Sequence, residues 1–342
     1  MSLEPVDALR RIAFLLERSR ASTYRVKAYR EAASTLLGLP EDQVRQRVRS
    51  GTLRELPGIG GSTSAVIEQA VAGQVPDKLT ELEESAGGPL AEGGEQVRAA
   101  LRGDLHSHSD WSDGGSPIQE MVAAAMAIGH DYLALTDHSP RLTVANGLSA
   151  ERLARQLAVV DGINAAVGER LRLLKAIEVD ILDDGSLDQS EEMLDRLDVR
   201  VASVHSKLKM DSPAMTRRMI AAVRGRHTNI LGHCTGRMVT GGRGTRPQSD
   251  FDARAVFEAC ADAGTAVEIN SRPERMDPPD ELITLAIETE CLFAIDTDAH
   301  APGQLDFQAY GCERAERLGV PVQRIVNSWA LEELLEWARP GG

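Results

Sequence analysis

Six of the chain's eight histidines stand at the far end of a short apolar run: His106 and His108 in RGDLHSHSDWSDG, His138 in YLALTDH, His205 in VRVASVHS, His233 in NILGHC and His300 in FAIDTDAH. Three carboxylates occupy similar places. Asp113 follows the first pair, Glu178 ends LLKAIEVD, and Asp298 precedes His300 by two residues. Imidazole with carboxylate is a donor set for zinc, manganese or iron rather than calcium. One ion takes about four protein ligands, so nine candidates predict two or three divalent ions, with a carboxylate such as Glu178 able to bridge a pair. Clustered divalent ions lower the pKa of a bridging water from ~15.7 toward ~7, and they hold phosphate oxygens as charge grows in the transition state. The chemistry this set suits best is hydrolysis of a phosphate ester. Phosphate-binding donors are expected at Lys207, Arg237 and Arg275, with Ser206 and Arg272 beside them. Cys234, next to His233, reads as a small packing residue.

The runs that carry these residues are apolar, often β-branched, and followed by a turn or a helical pattern. They read as buried parallel strands with donors at their C-terminal tips, and in a closed barrel such tips converge on one rim. Residues two apart on a strand face the same way, so His106 with His108, and Asp298 with His300, aim pairs of donors at one cavity. His130 and His227 precede their strands and belong at the opposite end. Strands are expected at 101–106, 131–136, 171–178, 198–204, 228–232, 265–270 and 292–297, alternating with helices at 116–128, 149–167, 188–196, 213–224, 250–263 and 279–289. Seven strands in βα alternation predict an α/β fold, a parallel sheet closed or nearly closed into a barrel.

Residues 1–84 carry helical spacing instead, in VDALRRIAFLLERS, YRVKAYREAASTLLGL, EDQVRQRVRSG and SAVIEQAVAG, and predict a small all-α domain. Pro40 with Glu41 and Asp42 marks one helix start. The Gly-rich stretch SAGGPLAEGGEQ places a linker over 85–98, with the barrel over 99–342. PGIG at 57–60 is a tight turn opening a helix, where backbone N–H groups face a phosphate. Together with Arg25, Lys27, Tyr29 and Arg30, Gly58 and Gly60 are candidate DNA-backbone contacts. The net charge of −14 opposes a broad nucleic-acid surface, yet residues 1–60 hold 11 Lys and Arg against 7 Asp and Glu, a local +4 that leaves −18 elsewhere. Four scattered cysteines form no CxxC, and no apolar stretch approaches 18 residues, so a cytoplasmic protein without membrane contact is expected.

The segment from about 101 to 338 resembles the PHP (polymerase and histidinol phosphatase) domain, in the form found at the C-terminus of bacterial family X DNA polymerases. The likeness rests on GDLHSHSDWSDG, YLALTDHSPRLTVANGLS, AIEVDI with DGSLD, VASVHS, LGHCTGR, VEINSRPERMD, IDTDAH and IVNSWALEELLEW. It implies a distorted seven-stranded barrel with three metals: one on His106, His108, Glu178 and Asp298, a second on Glu178, His205 and His233, and a third on Asp113, His138 and His300. Where polymerase PHP domains usually show His-Pro, this chain has His233-Cys234. Residues 1–84 resemble the 8 kDa domain of the same polymerases, through YRVKAYREAASTLLGLP and the helix-hairpin-helix LPGIGGSTSAVIEQ. Ser62 and Val66 stand where lyase-active members place lysines, which argues against Schiff-base lyase chemistry. The polymerase palm, fingers and thumb have no counterpart between the two modules, so DNA synthesis is not expected.

The expected activity is a metal-dependent phosphoesterase acting on gapped, nicked or 3′-ended DNA, as a 3′–5′ exonuclease or an end- or abasic-site-processing enzyme. Glu178, Asp298, His300 and Arg237 are the expected catalytic residues. The rival readings are a small-molecule phosphomonoesterase, such as a histidinol-phosphate phosphatase, and a non-catalytic DNA-binding scaffold.

Overall fold

A computed structural model describes residues 3–241 and 244–340. The chain divides into two compact units, Met1–Pro89 and Leu90–Gly342. The first is helical: α1 (Pro5–Arg18), α2 (Thr23–Leu37), α3 (Glu41–Ser50), α4 (Gly61–Val71) and α5 (Asp77–Ala86). Leu9, Ile12, Leu16, Ala32, Leu36, Val66 and Ile67 form its core, one apolar stripe from each of three helices. The turn before α4 is pinned from both sides. Ile59 is buried in that core, and the Thr63 hydroxyl accepts from the Gly60 N–H at 2.9 Å. Gly58, just before them, has φ +75°, and a Cβ there would lie 3.2 Å from the Glu31 Cβ, so only glycine fits without strain.

The second unit runs α6 (Glu95–Ala100), β1 (Gly103–Ser107), α7 (Ile118–Ala127), β2 (Tyr132–Leu135), α8 (Ala150–Val167), β3 (Arg172–Asp180), α9 (Glu191–Leu194), β4 (Val199–Ser203), α10 (Ser212–Val223), β5 (Ile230–Leu231), α11 (Ala253–Ala263), β6 (Ala266–Asn270), α12 (Asp280–Glu288), β7 (Leu292–Asp296), α13 (Gln308–Leu318) and α14 (Leu331–Trp337). All seven strands are parallel and lie in sequence order, so the expected α/β barrel is present and nearly closed. Two local expectations differ. Residues 95–98, expected in the linker, belong to a short helix that runs to Ala100, because the Glu316 carboxylate accepts from the Gln96 and Val97 N–H groups at 2.9 and 3.1 Å and caps that helix from 220 residues away. β3 continues to Asp180, paired with Ser203, so Glu178 sits within a strand rather than at its end.

Strand periodicity sorts the barrel interior into two floors. Tyr132 and Ala134, Leu174 and Ala176, Val199 and Val201, Ala266, and Ala294 pack together in the lower interior. Two and four residues further along the same faces stand Thr136 and His138, Glu178, Ser203 and His205, Glu268 and Asn270, and Asp296 and Asp298. The lower floor is closed by the C-terminal segment, where Val326 and Leu334 join the apolar cluster and the Ala338 carbonyl accepts from Arg200 and Asn229 at 3.1 and 3.0 Å. Gly232 continues the short β5, where a Cβ would meet Ser203 Oγ at 2.3 Å.

The β1–β7 seam is closed differently. Among the described residues only Ser107 and Ala299 bridge, with the His108 N–H donating to the Ala299 carbonyl at 2.8 Å. Lower down, the fully buried Asn327 side chain takes the place of a ladder. Its Oδ1 accepts from the Ile295 N–H at 2.7 Å, and its Nδ2 donates to Asp296 Oδ1 at 2.8 Å and to the Ile295 and Gly103 carbonyls at 3.2 and 3.3 Å. Gln308 adds donations to the same two carbonyls at 2.9 Å. No helix among the described residues is long and apolar enough to cross a membrane.

Candidate metal centre

Glu178 lies at the middle of the rim, 1% exposed, with five imidazoles around its carboxylate. His138 Nδ1 and His233 Nε2 approach to 2.9 and 2.8 Å, His205 Nε2 to 3.1 Å, His106 Nε2 to 3.3 Å and His108 Nε2 to 3.6 Å. Asp298 faces His108 Nε2 at 3.4 Å and His300 Nδ1 at 3.5 Å, while Asp113 is 3.4 Å from both His138 Nε2 and His300 Nε2. All nine sequence-derived candidates therefore meet at one end of the barrel. Three subsets have donor atoms within 4.8 Å of one another and could each hold an ion: His106, His108 and Asp298; His138, Glu178 and His205; and His108, Asp113, His138 and His300. His138 thus stands in the Glu178 group as well as the Asp113 group. His233 touches Glu178 without joining a subset.

The donors fit divalent ions better than they fit each other. His106 Nε2, His108 Nε2, His138 Nδ1, His205 Nε2 and Glu178 Oε2 are all buried without a hydrogen bond, despite their proximity. Unpaired buried polar atoms are costly, and an ion shared between them would satisfy several at once. Most of the cluster is sealed. Asp113, His300 and His205 are its most exposed side chains, at 35%, 18% and 12%, so the cluster opens to solvent on their side.

Buried acids missing from the sequence-derived set orient the imidazoles. Glu268 Oε1 lies 2.5 Å from His106 Nδ1, and its other oxygen accepts the His233 N–H. Asp180 Oδ1 is 3.1 Å from His205 Nδ1. An imidazole that donates through Nδ1 presents the Nε2 lone pair to a metal. The signal for both acids was period two: Asp180 follows Glu178, and Glu268 precedes Asn270, on one strand face each. Asp137 pins the Asp113 loop, accepting from the Ser109 and Ser112 hydroxyls at 2.6 and 2.5 Å and from Gln156 Nε2 at 2.6 Å. His233 and Asp298 hold backbones at φ +22° and +53°, positions an L-residue adopts only when its surroundings demand it.

Electrostatics follow from this packing. Burial opposes ionisation of Glu178, but His205, His138 and His106 outweigh it and hold the carboxyl well below its usual range. Asp298 is likewise held low against burial, by His108, Arg275 and Arg272. His108 is pushed down to about 3 by burial and by His300 and His138. Burial alone would lower His205, yet Glu178 and Asp180 raise it to about 9. Without metal, the stabilisation from protonated His205 is complete below its unfolded pKa of ~6.5 and is lost as pH rises through about 9. An ion needs the neutral imidazole and competes with that proton. Apparent Mn²⁺ or Zn²⁺ affinity is therefore expected to climb between pH 6.5 and 9 and then level off. Titration calorimetry across that window checks it, and a flat profile would remove His205 from the ligand set.

Of the phosphate-binding candidates, Arg275 reaches the centre, its Nε donating to Asp298 Oδ2 at 3.0 Å. Arg272, 3.6 Å from Asp298 Oδ1, stands beside it. Arg237 does not touch the carboxylates; it donates to the carbonyls of Arg275 and Met276. Lys207 is exposed and paired with Asp183. His130 and His227 lie outside the three subsets, His227 being bound to Asp195 at 2.8 Å.

In the helical unit the DNA-contact candidates separate. Arg25 and Lys27 are exposed, and so are Gly58 and Gly60. Tyr29 is a core residue at 6% exposure, and Arg30 makes a bidentate, largely buried pair with Glu17 at 2.9 and 2.7 Å. Arg30 faces inward because α2 turns that side onto α1, whereas Tyr29 lies with Arg25 and Gly60 along the wall of a groove. A groove lined by Tyr24, Arg25, Gly60, Ser62, Val66 and Lys78 opens at the start of α4.

The helix-hairpin-helix domain family matches residues 3–75, and the PHP domain family matches residues 104–272. The chain is 37% identical over 234 residues to the DNA polymerase/3′-5′ exonuclease PolX of Bacillus subtilis (strain 168), a match covering 68% of this chain and only 40% of that protein. It is 26% identical over 235 residues to the probable phosphatase YcdX of Escherichia coli (strain K12), covering 66% of this chain and 89% of that one. A solved histidinol phosphate phosphatase from Lactococcus lactis, complexed with zinc, L-histidinol and phosphate, superposes with a TM-score of 0.44 at 17% identity, over 64% of this chain and 92% of that one.

Proposed function

Because this chain joins a helix-hairpin-helix domain to a PHP domain, we propose that it is a metal-dependent phosphoesterase acting on phosphodiester or 3′-end phosphate bonds in DNA. The observation that carries the reading is the convergence of six imidazoles and three carboxylates on one buried rim with Arg275 among them. His106, His108, Glu178, Asp298, His205, His233, Asp113, His138 and His300 would hold two or three ions of zinc, manganese or iron. Bound there, such ions supply Lewis acidity toward a phosphoryl oxygen and acidify a water. The chain's own groups do the rest. Arg275 and Arg272 hold a phosphate oxygen beside Asp298, Glu268 and Asp180 fix the ring orientation of His106 and His205, and the sealed floor excludes bulk water. Exposed Arg25 and Lys27 with the Gly58–Gly60 turn bind a DNA backbone.

Purified protein with Mn²⁺ and 3′-labelled gapped duplex is expected to release labelled mononucleotide, with an Asp298→Ala His300→Ala variant at least about 10²-fold slower. Histidinol phosphate serves as the control, since the likeness to a probable phosphatase favours a monoester as the second reading. Cleavage of histidinol phosphate alone would sink the DNA reading, and full activity in the double variant would sink the site.

A further inference from the structure

The loops after β5 and β6 join into one wall beside Asp298. The backbones of Met238 and Arg246 hydrogen-bond in both directions at 2.9 Å, and the Val239 N–H donates to the Glu274 carbonyl at 2.8 Å, tying Val239 to the segment that bears Arg272 and Arg275. Arg272 and Arg275 are matched by Asp298 at 3.6 and 3.0 Å. Arg237 and Arg246 are not: among the described residues neither has an acid within ion-pair distance. Arg246 Nε donates to the Gly236 carbonyl at 2.7 Å, and Arg237 spends its donors on the Arg275 and Met276 carbonyls. Carbonyls accept hydrogen bonds without neutralising charge. Among the described residues, two guanidiniums therefore stand without an ion-pair partner beside a third, the buried Asp277 being the neighbouring acid, in a part of the chain whose overall charge is strongly negative. Partial burial and the charge of Arg275 press Arg246 below the usual arginine value, against the opposing pull of the Asp277 carboxylate. Val239 and Met276, 42% and 37% exposed, lie on the same wall and offer apolar surface next to the charges.

Such a wall suits an anion attached to a flat or apolar body. Resting on the phosphodiesterase reading above, we infer that Arg246, supported by Arg237, holds the phosphate next to the scissile one, so that the centre recognises a polynucleotide rather than a phosphomonoester. Arg275 serves the scissile phosphate at the carboxylates. Arg246 serves its neighbour, and Val239 with Met276 packs on the intervening sugar and base. A monoester has no second phosphate and gains nothing from Arg246.

The test compares a dinucleotide, which has only the scissile phosphate, with a trinucleotide, which has one more. Wild-type protein with Mn²⁺ is expected to show a KM for the trinucleotide about 5- to 10-fold lower than for the dinucleotide. Arg246→Ala should bring that ratio to within about 2-fold, and Arg246→Lys should restore part of it, since charge returns without the planar fork. For longer single strands, the log–log salt slope should fall by about 0.7 in Arg246→Ala. Thermal melting guards against a folding defect. An unchanged ratio in Arg246→Ala overturns the inference, as does an equal loss on both substrates in a variant that melts normally. Wild-type protein that cleaves neither oligonucleotide but does cleave a monoester overturns the phosphodiesterase reading itself, a separately visible result.

Discussion

Glu178→Gln is expected to slow hydrolysis about 10³-fold, close to 4 kcal/mol of transition-state stabilisation, and to lower the bound metal content. Five imidazoles lie within 3.6 Å of this one carboxylate, and it belongs to the subset formed with His138 and His205. Glutamine keeps the size and one acceptor but removes the charge, so packing survives while the centre's anchor does not. His106 and His205 lose the negative charge that helps hold them protonated in the metal-free state, and both then titrate lower. Metal analysis after dialysis, beside a circular-dichroism melt, separates this from unfolding. A variant that keeps a tenth of the activity and its full metal content would show that Glu178 is not the shared ligand.

Asn327→Leu should cost the barrel about 3 kcal/mol, because the Ile295 N–H, the Gly103 carbonyl and the Asp296 carboxylate lose partners in a place water does not reach. For a unit of this size that corresponds to a drop of about 6–12 °C in Tm. Asn327→Asp should be worse at pH 8 than at pH 5. It retains the acceptor for Ile295 but adds a third carboxyl beside Asp296 and Asp104, which burial already raises, Asp104 to about 6. Ionising them together is then less favourable, and the penalty grows as pH rises through that range. Activity should fall as well, since β1 carries His106 and β7 leads into Asp298, and the seam sets the distance between them. Melts of both variants within about 1 °C of wild type would remove Asn327 from this role.

Much of this architecture was readable along the chain. Seven apolar runs, among them those ending in His138, His205 and His300, placed the seven strands within a few residues of their observed bounds, because a buried parallel strand needs a local run of apolar residues and little else. The orienting acids were harder to see. Glu268 lies within VEIN, where a charged residue between apolar neighbours resembles an alternating strand with one wet face. Only a closed barrel makes that face an interior. Arg30 shows the same limit in a helix: its type suits a phosphate, but the angle at which α2 meets α1 turns it onto Glu17. The helix at 95–100 escaped notice because its cap comes from Glu316, far along the chain.

By itself, then, the amino-acid order determined the elements, their alternation, and the end of each strand on which a donor stands, since period and strand polarity are local properties of the backbone. Which donors meet was decided only by closure. His138 stands between Asp113 and Glu178, and Asn327 bridges strands that begin 189 residues apart, at Gly103 and Leu292, because barrel circumference and side-chain reach set those distances, and neither is written in any one segment.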